Sequence, residues 1–443
     1  MQVQLSDHFT YKRLLRFVVS PILMMVCISL YSVVDGFFVS NYVGKTAFAA
    51  VNLIMPVMMG VGTIGFMIGS GGSAVVAKTL GEGDKVLASR YFSMLIYAAI
   101  GIGLLFSITG FLLIEPISVA LKAEGELLTD CVTYGRILFL AQTFFILQNI
   151  FQVFLVTAQK PDLSLRVSLC SGLTNMVLDY LFIAVWGWGI AGAAIATALG
   201  QVVGAGVPLL YFARKNRSLL RLGKTQFYGS IFLKTLTNGS SEMVANLSAS
   251  VVSVLYNLQL MKLAGENGVA AYGIIMYVNF IFTAIFFGYG MGSSPLIAYH
   301  YGAQNHEELQ NLFKKSLKLV GGTGIALMLL AEALARPLVN IFASYDAELF
   351  AMTLHGFRIF SLAFLLMGIN IWGSAFFTAL NNGLISAVIS FVRTLIFESA
   401  TVLILPRFFD IDGVWMAVLV AEILAITMTS LFFIRKRAQY HYF

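Results

Sequence analysis

Residues 44–81 read GKTAFAAVNLIMPVMMGVGTIGFMIGSGGSAVVAKTLG, and residues 265–302 read GENGVAAYGIIMYVNFIFTAIFFGYGMGSSPLIAYHYG. Laid on each other without a gap, they agree at 13 of 38 positions, among them Ala49/Ala270, Met55/Met276, Gly69/Gly290, Gly71/Gly292, Ser73/Ser294 and Gly81/Gly302. The same offset of 221 residues pairs Gly135 with Gly356, Thr157-Ala158 with Thr378-Ala379, and Ile190 and Gly192 with Ile411 and Gly413. A register held over so much chain marks an internal duplication.

The copies are too apolar for water. Of 443 residues, 59% are hydrophobic and 11% charged, with mean hydropathy +0.86. Soluble domains carry about 25% charged residues. Twelve apolar runs of spanning length follow one another: 14–40, 48–76, 90–114, 132–157, 163–186, 190–213, 230–262, 268–298, 312–334, 353–379, 384–405 and 413–434. The first follows a basic cluster but is too long for a signal-peptide core, so it reads as an uncleaved span. Six spans per copy is an even number, so both copies enter from one side. The expected fold is an all-α integral membrane protein of two parallel six-helix lobes, related by a pseudo-twofold along the membrane normal. The boundaries predicted are 1–213 for the N-lobe, 214–229 for a basic cytoplasmic linker, and 230–443 for the C-lobe.

The net charge of +7 suits nucleic acid only until the charges are placed. With the N-terminus inside, twenty of the 28 Lys and Arg fall at inner span ends, seven at outer ends, and one, Arg393, within a span. That is the positive-inside pattern, and it predicts a multi-pass inner-membrane protein with both termini cytoplasmic. The basic balance then answers to the lipid bilayer and calls for no nucleic acid. Cys27, Cys131 and Cys170 lack metal or disulfide spacing, and the five histidines form no HExxH. Gly60-Val61-Gly62-Thr63-Ile64-Gly65 spells a dinucleotide fingerprint but lies inside an apolar span with no preceding strand.

The acids left inside spans are the informative residues. Asp35 lies nineteen residues beyond Arg16, which is nearly a hydrocarbon thickness along a helix rising ~1.5 Å per residue. A carboxylate at that depth costs roughly 2.5–3.5 kcal/mol on insertion scales, so a chain that keeps one usually uses it. Asp179 is the second deep acid, and Asn175, four residues earlier, shares its helix face. An amide beside an acid can bond it in either protonation state or lend an oxygen to a small cation. Span 4 adds Gln142, Gln148, Asn149 and Gln152, and span 6 adds Gln201, whose repeat partner is Glu422. These are read either as helix–helix glue or as second-tier polar groups. In the C-lobe, Glu242 near the inner end of span 7 is a gating candidate. Arg393 and Glu398 form an expected intramembrane ion pair, and Glu332 and Arg336 an expected interfacial one. Asp35 and Asp179 map by the repeat onto Tyr256 and Ala400, so neither acid is matched in the second copy.

Several motifs together resemble the multidrug and toxic compound extrusion (MATE) family of secondary transporters. They are Pro21 leading span 1, Asp35-Gly36-Phe37-Phe38-Val39, Ala49-Ala50-Val51-Asn52 with Pro56, and Asn175…Asp179-Tyr180-Leu181-Phe182-Ile183. The helix 1 aspartate is similar to the prokaryotic branch named after the DNA-damage-inducible protein F. The resemblance implies an antiporter exporting amphipathic cationic compounds against H+ or Na+, with no enzyme activity and no cofactor besides the coupling ion. It implies an ion-coupling cluster, open to H+ or to Na+, at Asp35, Asn175 and Asp179, with Gln152 placed by spacing only. It implies small organic substrates and a monomer. Tyr180 stands where the family often has proline, and Glu242 replaces its proline near the start of span 7. Two other readings are a lipid-linked precursor flippase, disfavoured by the lone midspan cation Arg393, and an intramembrane enzyme, for which no nucleophile or metal set appears.

Overall fold

A computed structural model describes residues 3–38, 42–344 and 346–443, with the backbone alone for residues 32–38 and Lys45. The N-terminal copy forms α1 (Tyr11–Phe38), α2 (Lys45–Gly81), α3 (Lys85–Ala120), α4 (Gly125–Thr157), α5 (Pro161–Val185) and α6 (Gly189–Ala213). The next helical stretch, Gly229–Gly302, is 74 residues long, or about 110 Å if straight, far more than one crossing of a ~30 Å core. It breaks at Gly265 (φ 60, ψ −148) into α7 (229–264) and α8 (266–302). Then come α9 (His306–Ala343), α10 (Ala347–Ser361 and Phe364–Ala379, bent by 52°), α11 (Gly383–Ile404) and α12 (Pro406–Tyr440). Among the described residues, with the long stretch divided at Gly265 and the bent pair counted as one, this makes twelve helices of spanning length, six from each copy.

The duplication is visible in the backbone at sites where sequence identity is lost. Gly44 and Gly265 are repeat partners and both have positive φ, 118° and 60°. Gly83 and Gln304 (91° and 52°) are another such pair, and Gly189 and Asp410 (58° and 48°) a third. The turns leading into α2 and α8, those leading into α3 and α9, and the one before α6 with the break near the start of α12 therefore share a positive φ, even where a non-glycine residue must adopt it.

The lobes meet at the end that carries the basic segments. A Cβ added to Gly81 of α2 would strike the backbone of Tyr299, and one added to Gly302 of α8 would strike Lys78. Since 78 and 81 map onto 299 and 302, this contact is the same on both sides of the pseudo-twofold. One level up, Gly71 of α2 lies against Gly239 of α7, while its partner Gly292 of α8 lies against Val18 of α1, the residue that maps onto Gly239. Backbones this close leave room only for hydrogen, which is why the small residues of the repeat persist. Asn238 donates to the Gly71 carbonyl (3.4 Å) and Asn381 to that of Ala74 (3.2 Å). Among the described residues, every hydrogen bond between the lobes lies in this basic-end half.

Two segments outside the spans tie that end together. The chain between Ala213 and Gly229 lies on α3, with Ser93 accepting from Gly223 N (3.1 Å) and Thr225 donating to the Arg90 carbonyl (2.8 Å), and it buries Leu220 completely. The residues before α1 cross from one lobe to the other. Leu5 and Phe9 are fully buried, and the Phe9 N–H donates to Glu308 of α9 (2.9 Å). The Phe9 carbonyl accepts from Asn311 (3.0 Å) and Lys315 (2.5 Å), and the His8 ring bonds Glu308 (2.6 Å).

Candidate functional site

Helix α5 positions the N-lobe acid. It is regular from Pro161 to Asp179 and then widens into a π-helical stretch, Tyr180–Val185. The sequence left the bend open because Tyr180 replaces a family proline. The structure puts the irregularity immediately after Asp179 by backbone widening, a device that recurs at functional sites. Asp179 has no exposed surface, and Asn175 is 5% exposed. Asn175 donates to Thr197 of α6 (3.4 Å), while its carbonyl oxygen has no partner among the described residues. Gly200 of α6 makes room for Asn175, and Gly204 for Gln148. Gln148 donates to Ser171 (3.2 Å), which donates to the Gly200 carbonyl (2.7 Å), tying α4, α5 and α6 together about two turns before the acid.

Asp35 lies on α1, and its side chain is outside the described residues. The helix itself runs beside α5, with Tyr31 packed on Gly172. Gln152 is buried, but its side chain makes no hydrogen bond among the described residues; its backbone carbonyl accepts from Ser164, three turns before Asn175. Gln142 donates to the Met58 carbonyl (3.3 Å), a helix–helix tie, and Gln201 is partly buried with its oxygen unpartnered. Asn175 and Asp179 thus lie one turn apart on α5, Gln148 reaches the same helix through Ser171, and no hydrogen bond joins Gln152 to Asn175 among the described residues. Ser171 and Thr197 were not singled out from sequence; Ser171 stands four residues before Asn175 on the same helix face, and Thr197, on α6, gave no signal.

The C-lobe corrects two expected pairings. Arg393 does not bond Glu398. Its Nε and an Nη donate to Glu422 of α12 at 2.9 and 2.6 Å. Glu422 is fully buried, so it requires a cation far more than the half-buried Glu398 does, and Arg393 reaches across to meet that need. Asn370 of α10 donates to the other Glu422 oxygen (2.6 Å) and accepts from Thr429 (3.0 Å). Asn370 was missed in the sequence, although it is the repeat partner of Asn149. Glu332 likewise accepts from Ser361 (2.5 Å) and faces Arg358 (4.0 Å) instead of pairing with Arg336, because α10 offers partners across the helix interface. Arg393 and Glu398 lie inside a second π-helical stretch, Val392–Glu398. Glu242 sits one turn beyond Gly239, just past the crossing with α2, half-buried and without a side-chain hydrogen bond among the described residues.

Chemically, the N-lobe presents a buried acid, a partly unsatisfied amide and hydroxyls. Such a set can take a proton or a small hard cation. The C-lobe presents an acid already neutralised by arginine.

A family profile described as MatE matches residues 21–181 and 243–401, one segment in each copy. The multidrug export protein MepA of Staphylococcus saprophyticus is 23% identical over 413 residues, covering 93% of this chain and 91% of that protein. The MepA of Staphylococcus haemolyticus is 22% identical, covering 93% and 90%. Among solved structures, a multidrug resistance MATE family transporter in an outward-facing conformation superposes with TM-score 0.93 at 23% identity, over 99% of this chain and 98% of that one. A MATE in complex with MaL6 superposes with TM-score 0.92 at 22% identity, over 97% of each chain.

Proposed function

The chain belongs to the MatE family, and from that premise we propose that it is a secondary active multidrug exporter. It moves small amphipathic, cationic compounds out of the cytoplasm against H+ or Na+ by alternating access. It sits in the cell's inner membrane as a monomer with both termini cytoplasmic. Its work is translocation with no covalent step.

The observation that carries this reading is the pairing of a fully buried acid, Asp179, in one lobe with hydrogen bonds between the lobes that lie, among the described residues, in the basic-end half. If that end is cytoplasmic, the lobes are shut inward and free to part outward. In the outward state a proton or sodium ion loads at Asp35 and Asp179, with Asn175 as their polar neighbour. Neutralising those charges removes their mutual repulsion and any attraction for a bound cationic drug, so α1 repacks and the drug leaves. Rocking about the pseudo-twofold then exposes the site inward and the ion departs. The ion drives this cycle only because it binds the two states unequally. The name of the staphylococcal relatives, multidrug export protein, supports the substrate class.

The test is ethidium efflux from vesicles under an imposed proton or sodium gradient. Wild type should respond to one of the gradients, which names the ion. Asp35→Asn and Asp179→Asn should each lose gradient-driven efflux by an order of magnitude or more. Gradient-driven efflux that survives both substitutions would refute the N-lobe assignment.

A further inference from the structure

Two cavities open at the basic end of the N-lobe, on either side of the turn between α4 and α5. The first, of about 340 Å³, is lined by the ends of α1 and α5 and by Val3 of the segment before α1. The second, of about 300 Å³, reaches from that turn to α3, to the linker after α6, to Tyr299 of α8, and to Gln4 and Ser6 of the same N-terminal segment. Gln159 and Lys160 line both, so the two adjoin. Their volumes lie at the lower end of the ~300–1,000 Å³ typical of small-ligand sites.

The charged lining is nearly all of one sign. Arg16, Lys160 and Arg166 line the first cavity, and Lys85, Lys160 and Arg217 the second. The one acid in either lining, Asp162, accepts a hydrogen bond from Ser20 of α1 (2.5 Å). Other cations at this end have partners: Lys78 pairs with Glu82 (3.2 Å), Arg13 donates to the His8 carbonyl (3.1 Å) and Lys315 to that of Phe9 (2.5 Å). None of the five lining cations makes a side-chain hydrogen bond or ion pair among the described residues. Concave walls that carry one sign of charge focus the field on an ion of the other sign, and Lys and Arg donors suit phosphate oxygens.

A second observation says what carries the phosphate. Arg16 and Arg166 stand near the basic ends of two helices that pack together, joined by Ser20 on Asp162 and by Tyr31 on Gly172. Three and seven residues deeper come Val19 and Leu23 on α1, and Leu169 and Leu173 on α5, all exposed. Positions i, i+3 and i+7 share a helix face, so each arginine heads an apolar stripe that runs into the hydrocarbon. A cationic recess continued by paired apolar stripes matches a molecule with an anionic head and acyl chains.

We propose that this recess binds the phosphate headgroup of an anionic lipid. Arg16, Lys160 and Arg166 face the phosphate, Lys85 and Arg217 extend the positive wall, and the acyl chains lie along α1 and α5. Free phosphate offers the same charge without the chains, so the test separates the two. The proposal needs the membrane-spanning fold but not the transport reading, and its test uses no transported substrate.

The experiment is native mass spectrometry of the delipidated full-length protein in an uncharged detergent. It is titrated with phosphatidylglycerol, with phosphatidylcholine of the same chains, and with inorganic phosphate. Wild type should bind one phosphatidylglycerol in preference to phosphatidylcholine, and inorganic phosphate should not displace it. Lys160→Gln and Arg166→Gln should each weaken that binding roughly fivefold, and together roughly thirtyfold, as loss of one or two cations beside an anionic lipid predicts. Lys160→Arg, which keeps the charge, should retain it. Arg435→Gln with Arg437→Gln removes two exposed cations of α12 outside the recess and should leave the affinity near the wild-type value. An equal loss in that control would mean diffuse surface charge and would overturn the site. Equal affinity for phosphatidylcholine, or displacement of the lipid by inorganic phosphate, would overturn the lipid assignment.

Discussion

The two lobes share a backbone and divide their chemistry. Repeat partners adopt the same positive-φ turns and the same glycine crossings, yet the N-lobe buries Asp179 one turn from Asn175 while the C-lobe buries Glu422 against Arg393. Duplication preserved what the helices need in order to pack, meaning small residues where backbones touch and particular backbone angles at turns. It left the interior polar positions to diverge, because packing does not specify which charge a buried cavity wall carries. On the proposed function, one lobe became a place where charge changes, while the other holds the charge of Glu422 against Arg393.

The sharpest way to break that contrast is to unpin the C-lobe. Glu422→Gln leaves Arg393 without its partner in a dry interior, and Arg393→Met does the converse. Each single change should cost about 3–5 kcal/mol, whereas the double change should recover most of it. Thermal unfolding in detergent, followed by tryptophan fluorescence, measures this as a double-mutant cycle. Additive losses would mean that the pair does not act as a unit.

A smaller effect probes what the lobes have in common. Gly81→Ala and Gly302→Ala put a methyl group against the facing backbone at pseudo-equivalent points, so each should force the basic ends apart at a cost of about 1–3 kcal/mol. Spin labels on the ends of α2 and α8 should report a longer distance in both variants and by similar amounts. A large response to one and none to the other would show that the crossing is not symmetric in energy.

The smallest effect tests the turns. Asp410 adopts φ 48, ψ −131 where its repeat partner is Gly189, and a residue with a side chain held there carries strain of about 1–3 kcal/mol. Asp410→Gly should therefore raise the unfolding temperature slightly, while Gly189→Asp should lower it. Stabilisation by both, or by neither, would separate the two turns despite their shared angles.

Much of this was legible in the sequence because it is local or periodic. Apolar runs delimit spans, the 221-residue register sets the lobes, and Asn175 and Asp179 share a face by spacing alone. Partners across helices were not legible. Arg393 was matched with the nearest acid along the chain, but the deeper Glu422 wins it because a fully desolvated carboxylate has the larger need. The widening of α5 after Asp179 was hidden for a related reason: no proline announces it, and the backbone departs from the α-helix without a residue type that demands it. Tyr256 was read only as the absence of an aspartate, since a tyrosine in a membrane helix looks like packing until its buried hydroxyl proves to have no partner among the described residues.

The short segment before α1 gives this architecture a clock. Phe9 donates its amide to one lobe's Glu308 and surrenders its carbonyl to Asn311 and Lys315, while its chain continues into the other lobe. Any excursion that parts the basic ends must either peel this segment from α9 or stretch it. The Phe9 amide can trade its hydrogen with solvent no faster than its bond to Glu308 opens, so one backbone proton reports how often this segment leaves α9.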